Sequence, residues 1–239
     1  LLTDAIRDIG EQNVIQVIMD SAANCVKARR LVHQQFPHIT PAPCAAHCID
    51  LALEDICKLA HVKELHDKLK TALQFVRKHD RLLAEFRKDA GKKIIIPGNT
   101  RFKCVYIMFS RAMEVKSALR KNMLCDAFED LLTSCDGRVR SAANEVKNTV
   151  LDEKVWQHAK GLVVVGQPLC ELLDFANSSF PTTGKLYFMC FNVQETLAAL
   201  TPDDAPAAFI SAAKEAFRVR WDMLHTPMHA GFRSGSLTT

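Results

Sequence analysis

The sequence predicts a small α/β edge followed by a long, mostly α-helical region, so that the chain is helical overall. Three observations carry this. A β-branched run, Val14 to Met19, ends at Asp20-Ser21 and gives way to helical character from Ala22 to Gln35. Beyond Cys44 the strand signal almost disappears, and apolar residues recur three and four positions apart. The composition, 48% hydrophobic and 24% charged over 239 residues, is that of a globular domain with a real core. It excludes a disordered chain, a collagen and a disulfide miniprotein.

Residues 1–10 read as the last turns of a helix closed by Gly10. Val14 to Met19 has almost no polar interruption, which suits a strand buried on both faces of a parallel sheet. Pro37, Pro41 and Pro43 forbid a helix between them, so a short second parallel strand is expected around His38 to Ala42. Two strands alone do not hold a sheet, and the expectation is that the sheet continues upstream of residue 1. The opening Leu1-Leu2-Thr3-Asp4, without methionine, agrees with a start inside a longer protein.

Ile49, Leu53, Ile56 and Ala60, then Leu65, Leu69, Leu73 and Val76, keep helical spacing. Ala90 to Pro97 is a break, in which Ile94-Ile95-Ile96 reads either as a short strand or as a buried linker. Asn99 or Thr100 can cap the next helix, with Phe102, Val105, Phe109 and Met113 as its apolar positions. Further helices are expected over 122–134, 138–149, 152–175, 184–200 and 205–224, with Pro181 and Thr201-Pro202-Asp203-Asp204 as breaks. The most apolar stretch, Gly161 to Leu173, is too short and too interrupted to span a membrane. Nine scattered cysteines without a C-x-x-C pair suit a reducing compartment better than a disulfide framework.

The net charge of +4 averages unlike segments. Lys58 to Lys121 holds 17 basic against 6 acidic residues, a surplus of eleven, while residues 1–57 and 122–239 carry −3 and −4. Within it Lys78, Arg81, Lys88, Lys92, Lys93, Arg101 and Lys103 are the candidates for phosphate contacts, weighed evenly against an ordinary solvated helix face. Phe75, Phe86, Phe102 and Phe109 occupy core-like positions and do not read as base-stacking platforms.

Asp20 lies where a parallel strand ends, the edge at which open α/β sheets place ligands. It can contribute to a Mg²⁺ site, or it can simply cap the helix that follows. Cys44 and His47, three apart on one helical face, can be half of a zinc site with His33 and His38 upstream. A packed thiol beside a hydrogen-bonded histidine is the preferred reading of that spacing. Asp50 with Glu54, and Glu171 with Asp174, read as polar helix faces. There is no Walker motif, no G-x-G-x-x-G and no G-x-S-x-G.

Taken together, Val14 to Asn24, Phe36-Pro37-His38-Ile39 and Pro43 to Ile56 resemble the core of plant-type hAT-superfamily DNA transposases. The resemblance continues through Asn99 to Phe102, Glu114 to Arg120, Val155-Trp156, Gly184 to Tyr187 and Arg220 to Ala230. It implies a partial ribonuclease H-like core over residues 1–60, a helical insertion region over 61–225 and a divergent, disordered tail over 226–239. It further implies metal-dependent DNA strand cleavage and transfer in the intact family, with Mg²⁺ or Mn²⁺ held by an Asp–Asp–Glu triad. Asp20 matches the second aspartate of that triad, which favours a catalytic, metal-binding Asp20 over a simple cap. Cys44 and His47 match an active-site motif near the DNA rather than zinc ligands. The first aspartate and the glutamate have no counterpart between residues 1 and 239. The isolated chain is therefore expected to be inactive and to hold no metal stably. DNA, a homo-oligomer of the full-length protein and the nucleus are the expected partners and location, with no membrane. The alternative is a non-enzymatic nuclear module, derived from a transposase, that binds DNA or protein.

Overall fold

The computed structural model describes residues 1–98, 102–178 and 183–224. Among them the chain forms twelve α-helices and one two-stranded sheet, so the predominantly helical fold with a small α/β edge is what the structure shows. Contacts divide it into two compact units. Unit 1 comprises Leu1–Leu53, Pro168–Ala199 and the chain from Ala212; unit 2 comprises Glu54–Gln167 and Leu200–Ser211.

Unit 1 opens with α1 (Leu2–Ile9), which Gly10 closes at φ 91°, a left-handed backbone that favours glycine. β1 (Gln16–Met19), α2 (Ala23–Gln35) and β2 (Thr40–Pro43) form the expected crossover. The strands pair in parallel with Gln16 opposite Thr40 and Met19 opposite Pro43. Ile6, Val32, Phe36 and Ile39 form a buried cluster that Leu2, Val14 and Val17 join. The expectation of a strand buried on both faces fails: Ile15 is 62% exposed and Ile18 59% exposed. Among the described residues β1 has one partner strand, and its apolar side chains enter a core only through Val14 and Val17.

α3 (Ala45–Cys57) carries the buried Cys48, Ile49, Ala52, Leu53 and Ile56. α4 (Ala60–Lys78) and α5 (Asp80–Ala90) follow with no glycine or proline between them. The stop at His79 is made by its own side chain: the imidazole donates from Nδ1 to the Phe75 carbonyl at 2.8 Å and its ring lies against the Phe75 ring. Ile94 to Ile96 is a half-buried linker, not a strand. The capping residues expected at Asn99 and Thr100 lie outside the described residues, as do Pro181 and residues 226–239.

α6 (Phe102–Glu114), α7 (Lys116–Asn122), α8 (Asp126–Ser134) and α9 (Gly137–Leu151) complete a helical layer in unit 2. α4 packs on α5 and α9, and α5 on α7 and α8. Leu69, Leu73 and Val76 of α4 are sealed from solvent, as are Phe86, Phe109, Phe128 and Val150. Asp136 caps α9, accepting from the amides of Arg138 and Val139 at 2.9 Å.

α10 (Glu153–Ala176) begins with Trp156, 1% exposed, whose indole N–H reaches the Val150 carbonyl at 2.7 Å. The same helix contains Pro168, which has no N–H for its ladder, and the unit boundary falls at that residue. α11 (Thr183–Ala199) and α12 (Ala207–Leu224) supply the rest. Tyr187 and Trp221 place their ring centroids 4.9 Å apart, and Phe217 stacks on Trp221. All nine cysteines are free thiols. Among the described residues no helix is long and apolar enough to cross a membrane.

Gly161 marks a close approach inside unit 2: a Cβ there would meet Pro206 Cδ at 2.6 Å and Ala205 Cα at 3.2 Å. Gly161→Ala should therefore destabilise, because forced repacking costs about 1–3 kcal/mol against a helix-propensity gain of about 1 kcal/mol. Gly137, at the start of α9 with open space around it, is the control. Gly137→Ala should stabilise by about 0.4–1 kcal/mol. Urea denaturation of both variants checks the pair, and a Gly161→Ala protein as stable as wild type would refute the close approach.

Candidate functional site

The site is built at the edge where both parallel strands end. β1 stops at Met19, and the Met19 carbonyl accepts the Cys44 amide N–H at 2.7 Å, one residue beyond the last strand pair. That bond fastens the start of α3 to the end of β1. Asp20 and the Cys44–His47 turn are thereby brought to one edge, as their positions in the sequence suggested. Arg29, 8% exposed, reaches the same carbonyl from α2 with Nη1 at 3.5 Å.

Asp20 is exposed, and its Oδ1 accepts the Ala22 amide at 2.9 Å. This is a tight turn into α2 rather than a bond from the helix N-cap residue, which is Ala22. The Cys25 thiol also acts on the same carboxylate in its charged form. These two interactions hold the Asp20 carboxyl below the usual aspartate range, with smaller help from His47 and Arg29. The interaction with Asp20, desolvation and the carboxylate charge raise the Cys25 thiol in return. Cys48 lies beneath the edge with its sulfur 3.9 Å from Ser21 Oγ, and burial pushes its thiol up.

The upstream histidines point elsewhere. His33 donates from Nδ1 to the Ile39 carbonyl and His38 from Nε2 to the Glu11 carbonyl, each at 2.9 Å. Among the described residues no three His, Cys, Asp or Glu side chains come together as metal ligands. Cys25 and Arg29 are the members of this edge that motif reading misses. Their only signal is i, i+4 spacing on α2, too common to single out.

The basic segment is partly neutralised in the folded chain. Arg81 pairs with Asp130 at 2.9 Å, Lys88 with Glu85 at 2.6 Å and Lys92 with Glu114 at 3.0 Å. Lys116 and Arg120 share Glu153, and Lys121 meets Asp89. Arg111 ties the linker to α6 by bonding both Glu114 and the Lys93 carbonyl. Among the described residues Lys63, Lys70, Arg77, Lys78, Arg87 and Lys93 have no acidic partner within 4 Å. Lys103 is half-buried, and Arg101 lies outside the described residues. Phe75, Phe86 and Phe109 are core residues, as their spacing predicts.

A family model described as a domain of unknown function, DUF659, matches residues 1–72. That domain is found in hAT-like transposase-related proteins. The match includes Asp20, Cys44 and His47 but ends before Lys78, the first of the candidate phosphate contacts. No curated protein and no solved structure matches the chain.

If Asp20 holds Cys25 in its thiol form, Asp20→Ala should lower the Cys25 pKa toward its ordinary value. Alkylation of Cys25 at about pH 8, followed peptide by peptide, should then speed up roughly threefold or more. An unchanged rate would show that the two side chains are not bonded. The lowered Asp20 pKa also gives a sign for acid. Its contribution to stability is present above the ordinary aspartate range and is lost as pH falls through the depressed value.

Proposed function

We propose that the chain is a piece of a hAT-type DNA transposase, with residues 1–60 a partial ribonuclease H-like core and the helices beyond it an insertion region facing DNA. One observation carries the reading. A parallel strand ends just before Asp20, and the Cys44–His47 turn is bonded to the same strand end through the Met19 carbonyl. The match of residues 1–72 to a domain of transposase-related proteins supports it. The partner is DNA and the compartment the nucleus.

The family's chemistry runs on Mg²⁺ or Mn²⁺ held by several carboxylates. The described residues do not fit such a centre by themselves. Asp20 offers one carboxylate, already bonded to the Ala22 amide, with the Arg29 guanidinium supplying positive potential. A two-metal displacement needs more anionic ligands than this. The isolated chain is accordingly inactive in strand cleavage and transfer. A site with one carboxylate and the Arg29 guanidinium near it favours a second reading, a non-enzymatic nuclear module that retains the surface and not the reaction.

DNA contact falls first to the basic residues that have no acid beside them. Arg77 and Lys78 end α4, where the helix dipole already favours cations, so a bound phosphate competes with that interaction. Arg81, Lys88 and Lys92 must instead exchange Asp130, Glu85 and Glu114 for phosphate. Surface pairs of this kind are worth about 0–1 kcal/mol, so the exchange costs little.

If Arg77, Lys78, Arg87 and Lys93 each meet a phosphate, log affinity for duplex DNA should fall against log salt with a slope of about −3 to −4. Lys93→Glu should weaken binding regardless of DNA sequence and flatten that slope by about one. Asp130→Asn, which releases Arg81, should tighten binding at low salt. A flat salt response would sink the DNA-facing reading. Strand transfer by the 239-residue chain with Mg²⁺ or Mn²⁺ would overturn its inactivity.

A further inference from the structure

A cavity of about 370 Å³ lies within unit 2, lined by the end of α3, the first half of α4 and the start of α6. Its volume falls at the lower end of the range for small-molecule sites. The floor is apolar: Val62 is 1% exposed and Val105 4% exposed, and the half-buried Cys57 lines the cavity with them. Burial, with a smaller push from the Glu54 carboxylate, raises the Cys57 thiol to about 11, so the floor presents a neutral S–H.

The rim is charged, and the pairing within it is uneven. Lys58 meets Glu54 and Asp55, each at 3.2 Å, and His66 Nδ1 lies 2.9 Å from Asp67 Oδ1. Both carboxylates that line the cavity, Glu54 and Asp67, are thereby engaged. Lys63 and the half-buried Lys70 line it too, and neither has an acidic partner among the described residues. With His66 between them they stand at i, i+3 and i+7 on α4, so all three share one face of that helix. Seven residues separate the two lysines by about 10.5 Å along the axis. Two flexible four-carbon stems can close that gap on one anion.

We propose that this cavity binds a compact organic anion, with its apolar body on the Val62–Cys57–Val105 floor and its anionic group between Lys63 and Lys70. The two halves of the site together select this class of ligand. A bare phosphate, or the backbone of a duplex, answers the lysines but puts nothing apolar on the floor. An uncharged hydrocarbon covers the floor but leaves both ammonium groups without a counter-ion. Size narrows the class further: at the ~30 Å³ that one water takes in the liquid, the cavity admits roughly a dozen non-hydrogen atoms. That is about one bicyclic ring with its acid group. The site does not depend on the DNA-facing reading, since it uses none of Arg77, Lys78, Arg87 and Lys93.

Titration of the 239-residue chain with 2-naphthoate, followed by the methyl NMR signals of Val62 and Val105, tests this. Both signals should shift and saturate, with a dissociation constant on the order of 1 mM or tighter for a ligand of this size. Uncharged 2-naphthamide should bind about tenfold more weakly, because it lacks the charge-assisted bonds to the lysines. Inorganic phosphate should give no saturable shift over the same concentrations. The double variant Lys63→Gln/Lys70→Gln should weaken 2-naphthoate to the level of 2-naphthamide while leaving the amide's binding unchanged, which a general loss of structure would not do. The proposal is overturned if 2-naphthoate gives no saturable shift, if acid and amide bind the wild type equally, or if phosphate binds as tightly as 2-naphthoate. A double variant that binds 2-naphthoate like wild type would overturn it as well.

Discussion

Much of the α/β edge depends on one oxygen atom, the carbonyl of Met19. It is the last acceptor of β1, and two donors from different elements converge on it: the Cys44 amide at 2.7 Å and, more loosely, Arg29 at 3.5 Å. A parallel pair puts the ends of both strands at the same edge, which an antiparallel pair would not. The register then decides which residues meet there. A slip of one residue would turn the Val17 side chain away from the Ile6–Val32–Phe36–Ile39 cluster and move the Cys44 turn off the strand end. The buried guanidinium of Arg29 is tolerable because it spends part of its donor capacity on that carbonyl. The position of Asp20 relative to His47 is thus a consequence of backbone bonding, not of any direct bond between the two side chains.

Charge behaves differently in the folded chain from charge along the sequence. The surplus between Lys58 and Lys121 is real, yet Asp130 and Glu153, which follow it in the chain, fold back to meet Arg81, Lys116 and Arg120. The field is thereby reduced locally without being removed, since exposed pairs are weak and are screened by salt. What remains of that surplus without an acidic partner among the described residues is a smaller group, Lys63, Lys70, Arg77, Lys78, Arg87 and Lys93, spread over α4, the face of α5 and the linker held by Arg111.

Most of the architecture was legible in the sequence because it follows from local rules. The crossover from β1 to β2 is announced by a β-branched run, a helix and three prolines, and the later helices by their apolar spacing. What escaped depends on partners distant in sequence or on side chains acting out of type. The break at His79 has no glycine or proline, since the imidazole itself takes the Phe75 carbonyl. The exposure of Ile15 and Ile18 depends on how many strands flank β1, which their own residue types do not encode. At the site, Asp20, Cys44 and His47 were readable from position. Cys25 and Arg29 were not, because a cysteine and an arginine four apart on a helix have many ordinary uses.

The division of the chain has a consequence for the order in which it folds. Unit 2 draws most of its residues from one continuous segment, Glu54–Gln167, within which α4 packs both on its neighbour α5 and on the more distant α9. Its loops are still shorter than those that unit 1 has to close, so they cost less closure entropy. Unit 1 draws on three separated segments, so its assembly waits on contacts across more than a hundred intervening residues. During synthesis the crossover that carries Asp20 is made before α11 and α12 and must persist without them until both are complete. In that interval the core of unit 1 is incomplete, while Ile15 and Ile18 stay exposed even in the folded chain.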